Sequence, residues 1–164
     1  MRTYATQMEA ARLGIVTPEM KAVAAQEYRT EEEIRQLVAQ GQVAICANRL
    51  HTCLKPAGVG SMLRTKINVN LGVSRDCKDY DVEMKKVMLA VDMGADAIMD
   101  LSSHGNTQPF RRKLTRECPA MIGTVPIYDS VIHYQRDLAT LSAQDFLDVI
   151  RLHAQDGVDF VTLH

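Results

Sequence analysis

Three things are scarce in this chain, and each scarcity removes a class of function. Charge of one sign is not in excess, because 19 Lys and Arg stand against 20 Asp and Glu for a net charge of −1. No global field steers the chain to nucleic acid or to an anionic membrane, so any charge that matters is local. Long apolar runs are also missing. Nothing approaches the ~20 residues that span a bilayer, and the start M-R-T-Y-A-T-Q-M-E-A-A-R lacks the apolar core of a secretion signal. The expectation is a cytoplasmic protein with no membrane and no nucleic-acid partner. Cysteine is sparse and badly spaced for metal or disulfide work: Cys46, Cys53, Cys77 and Cys118 form neither a Cys-x-x-Cys knuckle nor a dense frame. Reduced, structural thiols are the reading, and no metal site is assigned in this chain.

What is present suffices for a globular domain. The 164 residues are 46% apolar and 24% charged, an ordinary balance for a chain that buries a core. Residues 1–42 read as a helical lead-in. Thr17-Pro18-Glu19 is an N-cap followed by Pro at the first helical position, and Thr30 with Glu33 makes a capping box. Val43-Ala44-Ile45-Cys46-Ala47 reads as a short buried strand, and Lys55 to Gly60 as a loop. The pair Gly58 and Gly60 resembles a phosphate loop only weakly, since no Gly-Lys-Ser/Thr follows it.

From Lys66 onward, short strands alternate with helices. Met84, Val87, Met88 and Val91 share one face of a predicted helix over 81–93, closed by Gly94. Strands follow at 97–101 and 121–126, separated by a helix over 109–116, and a last helix begins at Ser142 with Phe146, Leu147 and Ile150 facing inward. Gly94-Ala95-Asp96 and Gly157-Val158-Asp159 repeat the same helix-ending turn before an apolar strand. Apolar strands joined by long crossovers imply a parallel sheet covered by helices. The stretch Thr65 to Gly72, T-K-I-N-V-N-L-G, alternates Ile67, Val69 and Leu71 with Lys66, Asn68 and Asn70. In such a sheet its polar face turns to the inside of a barrel, near the rim where (β/α)8 enzymes keep their chemistry. An exposed edge strand is the alternative.

Polar or unusual residues gather at the predicted C-terminal strand ends: Asn68 and Asn70, then Met99, Asp100 and Ser102, then Tyr128, then His164. Each has a plain alternative: Met99 as core, Asp100 as a cap for the serines, Tyr128 as a loop anchor, His164 as a polar tail. His104, His133 and His153 show no ligand spacing. Phe110-Arg111-Arg112-Lys113 reads as a solvated basic helix face.

The segments T-Q-M-E-A-A-R-L-G-I-V-T-P-E-M, K-I-N-V-N-L-G, G-A-D-A-I-M-D-L-S, I-G-T-V-P-I-Y and G-V-D-F-V-T-L-H, in this order, closely resemble the phosphomethylpyrimidine synthase family of radical S-adenosylmethionine enzymes. The resemblance implies a (β/α)8 barrel that binds 5-aminoimidazole ribotide, with a [4Fe-4S] cluster that cleaves S-adenosylmethionine. It places Asn70, Met99, Tyr128 and His164 at substrate-contacting positions and assigns no catalytic residue to this chain. The family's Cys-x-x-Cys-x-x-x-x-Cys ligand motif cannot be formed by the four cysteines here. Residues 43–164 therefore read as the first half of the barrel, four or five βα units, with the cluster and S-adenosylmethionine held by a missing C-terminal half. A half barrel implies association, including homo-oligomers, and an inactive fragment.

Two activities of the family share this substrate. Val69, Leu71, the run Val73 to Cys77 and Ser102-Ser103-His104-Gly105 depart from the pattern of the thiamine pyrimidine enzyme. The expectation is accordingly a carbon–carbon lyase that makes 5-hydroxybenzimidazole for cobalamin, with the pyrimidine synthase as the alternative. A truncated, catalytically silent ribotide-binding or interaction module is the reading from another class.

Overall fold

The computed structural model describes residues 3–164 and shows a mixed α/β chain in two compact units. One unit comprises the residues up to Ala47 together with Lys55–Lys66; the other comprises Asn48–Leu54 and Ile67–His164.

The first unit is three short helices and a two-stranded antiparallel ribbon. The helices are α1 (Gln7–Arg12), α2 (Pro18–Gln26) and α3 (Glu31–Ala39). Each begins on a threonine whose hydroxyl accepts a backbone N–H of the first turn: Thr6 from Glu9, Thr17 from Met20, Thr30 from Glu33. These caps satisfy donors that no helix can satisfy by itself. Met20, Val23, Ile34 and Val38 close the core with β1 (Val43–Ile45). Gly58 to Gly60, expected as loop, forms strand β2 and pairs with β1. Glycine lets it approach: a Cβ on Gly60 would stand 2.1 Å from the Gln42 carbonyl oxygen. Lys66 and Glu27 form a buried ion pair at 2.6 Å in the same unit.

The second unit carries a four-stranded, all-parallel sheet in the order β3 (Asn68–Leu71), β4 (Ala97–Asp100), β5 (Met121–Thr124), β6 (Phe160–Val161). The crossovers are α4 (Tyr80–Asp92) between β3 and β4, α5 (Gln108–Glu117) between β4 and β5, and α6 (Pro126–Tyr134) with α7 (Ala143–Gln155) between β5 and β6. Met84, Val87, Ile98, Phe110, Leu114 and Ile122 form the core between sheet and helices, with Val69 and Leu71 packed against it. Burying each such side chain contributes roughly 1.5–3 kcal/mol.

Strand alternation then puts Asn68, Asn70, Ala97, Met99, Met121 and Gly123 on the opposite face. Gly123 sits beside Phe160 in register, and a Cβ there would meet the Phe160 ring at 2.4 Å. The aromatic ring occupies the space that a side chain on β5 would have filled.

Three local expectations change. Ile67 precedes β3 and is exposed rather than packed on helices. Residues 126–134 form α6, so Tyr128 lies in the first turn of a helix and not at a strand end; Pro126 at the first helical position carries that signal. On α7 the fully buried residues are Val149 and His153, while Leu147 is exposed and Phe146 and Ile150 are half-buried.

The repeated turn aspartates act as fasteners between strands. Asp96 accepts the Ile67 N–H at 2.8 Å, and Asp159 accepts the Ile122 N–H at 2.8 Å. Asp159 also takes the Asn48 N–H and His51 Nδ1, which clasps the segment Asn48–Leu54 to the rest of the second unit. His51 Nε2 donates to the Cys118 carbonyl at 2.7 Å, so both ring nitrogens face acceptors. Burial opposes charge on this ring, but the Asp159 carboxylate and the Cys118 carbonyl outweigh it and raise the His51 pKa above its ordinary 6.5. The charged ring is favoured by folding, so the clasp stabilises fully below pH 6.5 and weakens as pH rises through the higher folded value. Urea midpoints of the wild-type chain should fall as pH is raised through that range, and His51→Gln should lose this part of the dependence; parallel curves for the two proteins would refute the clasp.

Candidate functional site

The four residues that the resemblance assigns to the substrate fall into two local pairs. Asn70 on β3 and Met99 on β4 are register partners on the face away from the helix-side core. The row continues through Gly123 and Phe160. Asn70 is exposed, and its Oδ1 accepts from Asn68 Nδ2 at 2.9 Å, which orients the amide. Met99 is 8% exposed and forms the apolar part of the row. Tyr128, in the first turn of α6, and His164, just past β6, have stacked rings with centroids 6.4 Å apart. The structure thus makes two pairs, Asn70 with Met99 and Tyr128 with His164.

The remaining sequence candidates have structural duties. Asp100 is buried on the helix side, where its Oδ1 accepts the Ser102 hydroxyl at 2.5 Å and the Ser102 N–H at 2.9 Å. Burial pushes its pKa up against those two hydrogen bonds, and the nearby Asp129 carboxylate adds to the rise. Ser102 Oγ in turn accepts the Val73 N–H at 3.1 Å. Gly72 lets these two strand ends close, since a Cβ on it would lie 2.5 Å from the Ser102 nitrogen.

Sequence reasoning missed the densest polar cluster of the unit. Arg111, expected on a solvated basic face, is 4% exposed. Its Nη1 donates to Asp129 Oδ2 at 2.5 Å and to Thr107 Oγ1 at 3.1 Å, and its Nε and Nη2 donate to Asp156 Oδ2 at 3.0 and 2.8 Å. His153, from the inner face of α7, places Nε2 2.9 Å from Asp129 and Nδ1 2.8 Å from Thr124 Oγ1. Burial would raise the Asp129 pKa, but hydrogen bonds from His153 and Thr107 and the charge of Arg111 hold it below the ordinary carboxylate range. The only sequence sign was position: Phe110 and Leu114 bury one helix face, and Arg111 and Thr115 flank it.

A [4Fe-4S] cluster needs several thiolates at one place. Cys118 is buried, and burial pushes its thiol up to about 11. Cys53 is raised as well, chiefly by burial, and its Sγ donates to the Cys118 carbonyl at 3.3 Å. Cys77 is exposed and Cys46 lies in the other unit. Among the described residues no group of three or more His, Cys, Asp or Glu is placed to hold a metal ion. The described residues do not fit the cluster. Among the described residues no helix is long and apolar enough to cross a membrane.

Arg111 is a cation buried between Asp129 and Asp156; removing its charge leaves Asp129 to Thr107 and His153, and Asp156 to the half-exposed Arg112 and to Gln108. Arg111→Met should destabilise the chain by about 3–5 kcal/mol, read as a lower urea midpoint. Wild-type stability in that variant would show the cluster to be incidental.

Comparison with known proteins identifies the family. The model of the Radical SAM ThiC family matches residues 6–164. Phosphomethylpyrimidine synthases of Pelotomaculum thermopropionicum, Alkaliphilus oremlandii and Clostridioides difficile are each 55% identical over 161 residues, which cover 98% of this chain and 37% of each relative. The chain therefore spans little more than a third of the length of these relatives. Their name overturns the expectation of a 5-hydroxybenzimidazole synthase and of a role in cobalamin synthesis. Of the departures that motivated it, Val69 and Leu71 pack against the helix-side core and so serve the fold; nothing in the structure ties the runs 73–77 and 103–105 to a product. On the family match over almost its whole length, the chain belongs to the Radical SAM ThiC family.

Proposed function

We propose that this chain supplies part of the substrate site of a phosphomethylpyrimidine synthase, the enzyme that makes the thiamine pyrimidine from 5-aminoimidazole ribotide. The observation that carries the reading is the set Asn70, Met99, Tyr128 and His164. They stand at or just beyond the C-terminal ends of four successive parallel strands, two in one register row and two in one ring stack. Asn70, Tyr128 and His164 would hydrogen-bond the ribotide and Met99 would pack against it, holding it in a fixed pose. Parallel order and helices on one face support a (β/α)8 barrel in which residues 1–42 are a lead-in and 43–164 are the first βα units. The exposed Leu147 and Leu163 support association, with further βα units or a second copy. The [4Fe-4S] cluster and S-adenosylmethionine would supply the radical chemistry from residues outside this chain.

Calorimetric titration of 5-aminoimidazole ribotide into the 164-residue chain tests the site. Asn70→Ala should weaken binding by ~1–3 kcal/mol, the cost of one lost polar partner; equal affinity in the variant would sink the assignment of the polar face of β3. After cluster reconstitution the same chain should form no 5′-deoxyadenosine, and its formation would show that cofactor ligands reside here after all.

A further inference from the structure

The segments that follow β4 and β5 share one anchor. The N-cap residues of α5 and α6 are Thr107 and Val125, and neither accepts a first-turn N–H with its own side chain, the Gln108 N–H going to Asn106 Oδ1 at 3.3 Å instead. First-turn N–H groups normally demand such an acceptor. The Thr107 hydroxyl instead lies 2.7 Å from both carboxylate oxygens of Asp129, in the first turn of α6. Arg111 from α5 and His153 from α7 close on the same carboxylate, and His153 reaches on to Thr124 at the end of β5. The start of α6 is therefore fastened by tertiary contacts in place of a local cap. Asp129 directly follows Tyr128, a residue 40% exposed whose ring stacks on His164.

We infer that Asp129 is a positioning residue: through Thr107, Arg111 and His153 it sets where Tyr128 stands against His164 and ties that placement to the segment after β4. The consequence for ligand binding rests on the proposed role of Tyr128, whereas the geometric claim needs no ligand. One rigid carboxylate taking donors from two neighbouring helices leaves the residue before it little freedom, and misplacement of a binding group by about 1 Å can cost a hundredfold.

The variant Asp129→Asn keeps the volume but turns one acceptor into a donor that faces Arg111 or His153. In the 164-residue chain, ring cross-peaks between Tyr128 and His164 in two-dimensional NMR should disappear in Asp129→Asn. Val87→Ala, which loosens the helix-side core away from this contact, should keep them. Should Asp129→Asn not fold, Thr107→Val removes one donor at nearly constant shape and is read in the same way. Retained cross-peaks in the folded variant overturn the inference. Ribotide affinity of Asp129→Asn should fall about 10- to 100-fold. If the wild-type chain binds no ribotide, the substrate assignment fails while the ring contact still decides the positioning claim.

Discussion

A buried guanidinium between two buried carboxylates is the constraint around which the second unit is arranged. Arg111 can be buried only if Asp129 and Asp156 come to it, because an unpaired charge in the interior costs several kcal/mol. Asp129 belongs to α6 and Asp156 follows α7, so satisfying one side chain on α5 fixes two later elements. Thr115 adds to the same junction by donating to the Asp156 carbonyl at 2.7 Å. Apolar packing of Phe110 and Leu114 would allow α5 to slide or rotate slightly; the two charged N–H bonds from Arg111 to Asp156 Oδ2 do not.

This polar junction lies on the helix side of the sheet and reaches the end of β5. Thr124 ends β5 with its hydroxyl on His153, and two residues later Pro126 starts the helix that carries Tyr128. On β3 and β4 the division is simpler. Val69, Leu71 and Ile98 serve the core, and Asn70 and Met99 are left on the open face by alternation alone. The candidate site is thus the remainder of what the core and the ion network use, which is how a parallel sheet presents polar residues at its C-terminal end.

The two glycines beside the site show the same economy of space. Gly72 lets the end of β3 pass the Ser102 backbone, and Gly123 yields its place on β5 to the ring of Phe160. Neither was singled out as a site feature in the sequence, since a glycine within a strand does not announce which neighbour it admits.

By itself the sequence determined the alternation of strands and helices, the threonine and serine caps, the polar face of T-K-I-N-V-N-L-G and the family. Those signals are local: a hydroxyl reaches an N–H three residues away, and a strand alternates with a period of two. Tertiary structure alone decided that Arg111 is buried, that His153 and Asp159 are junctions, that Gly58 to Gly60 is a strand, and that Tyr128 rides on a helix turned toward His164. Their partners lie tens of residues away along the chain, and an arginine beside an apolar stripe looks the same in sequence whether water or a carboxylate waits for it. The product-level expectation leaned in part on Val69 and Leu71, which pack against the helix-side core and carry no information about a product.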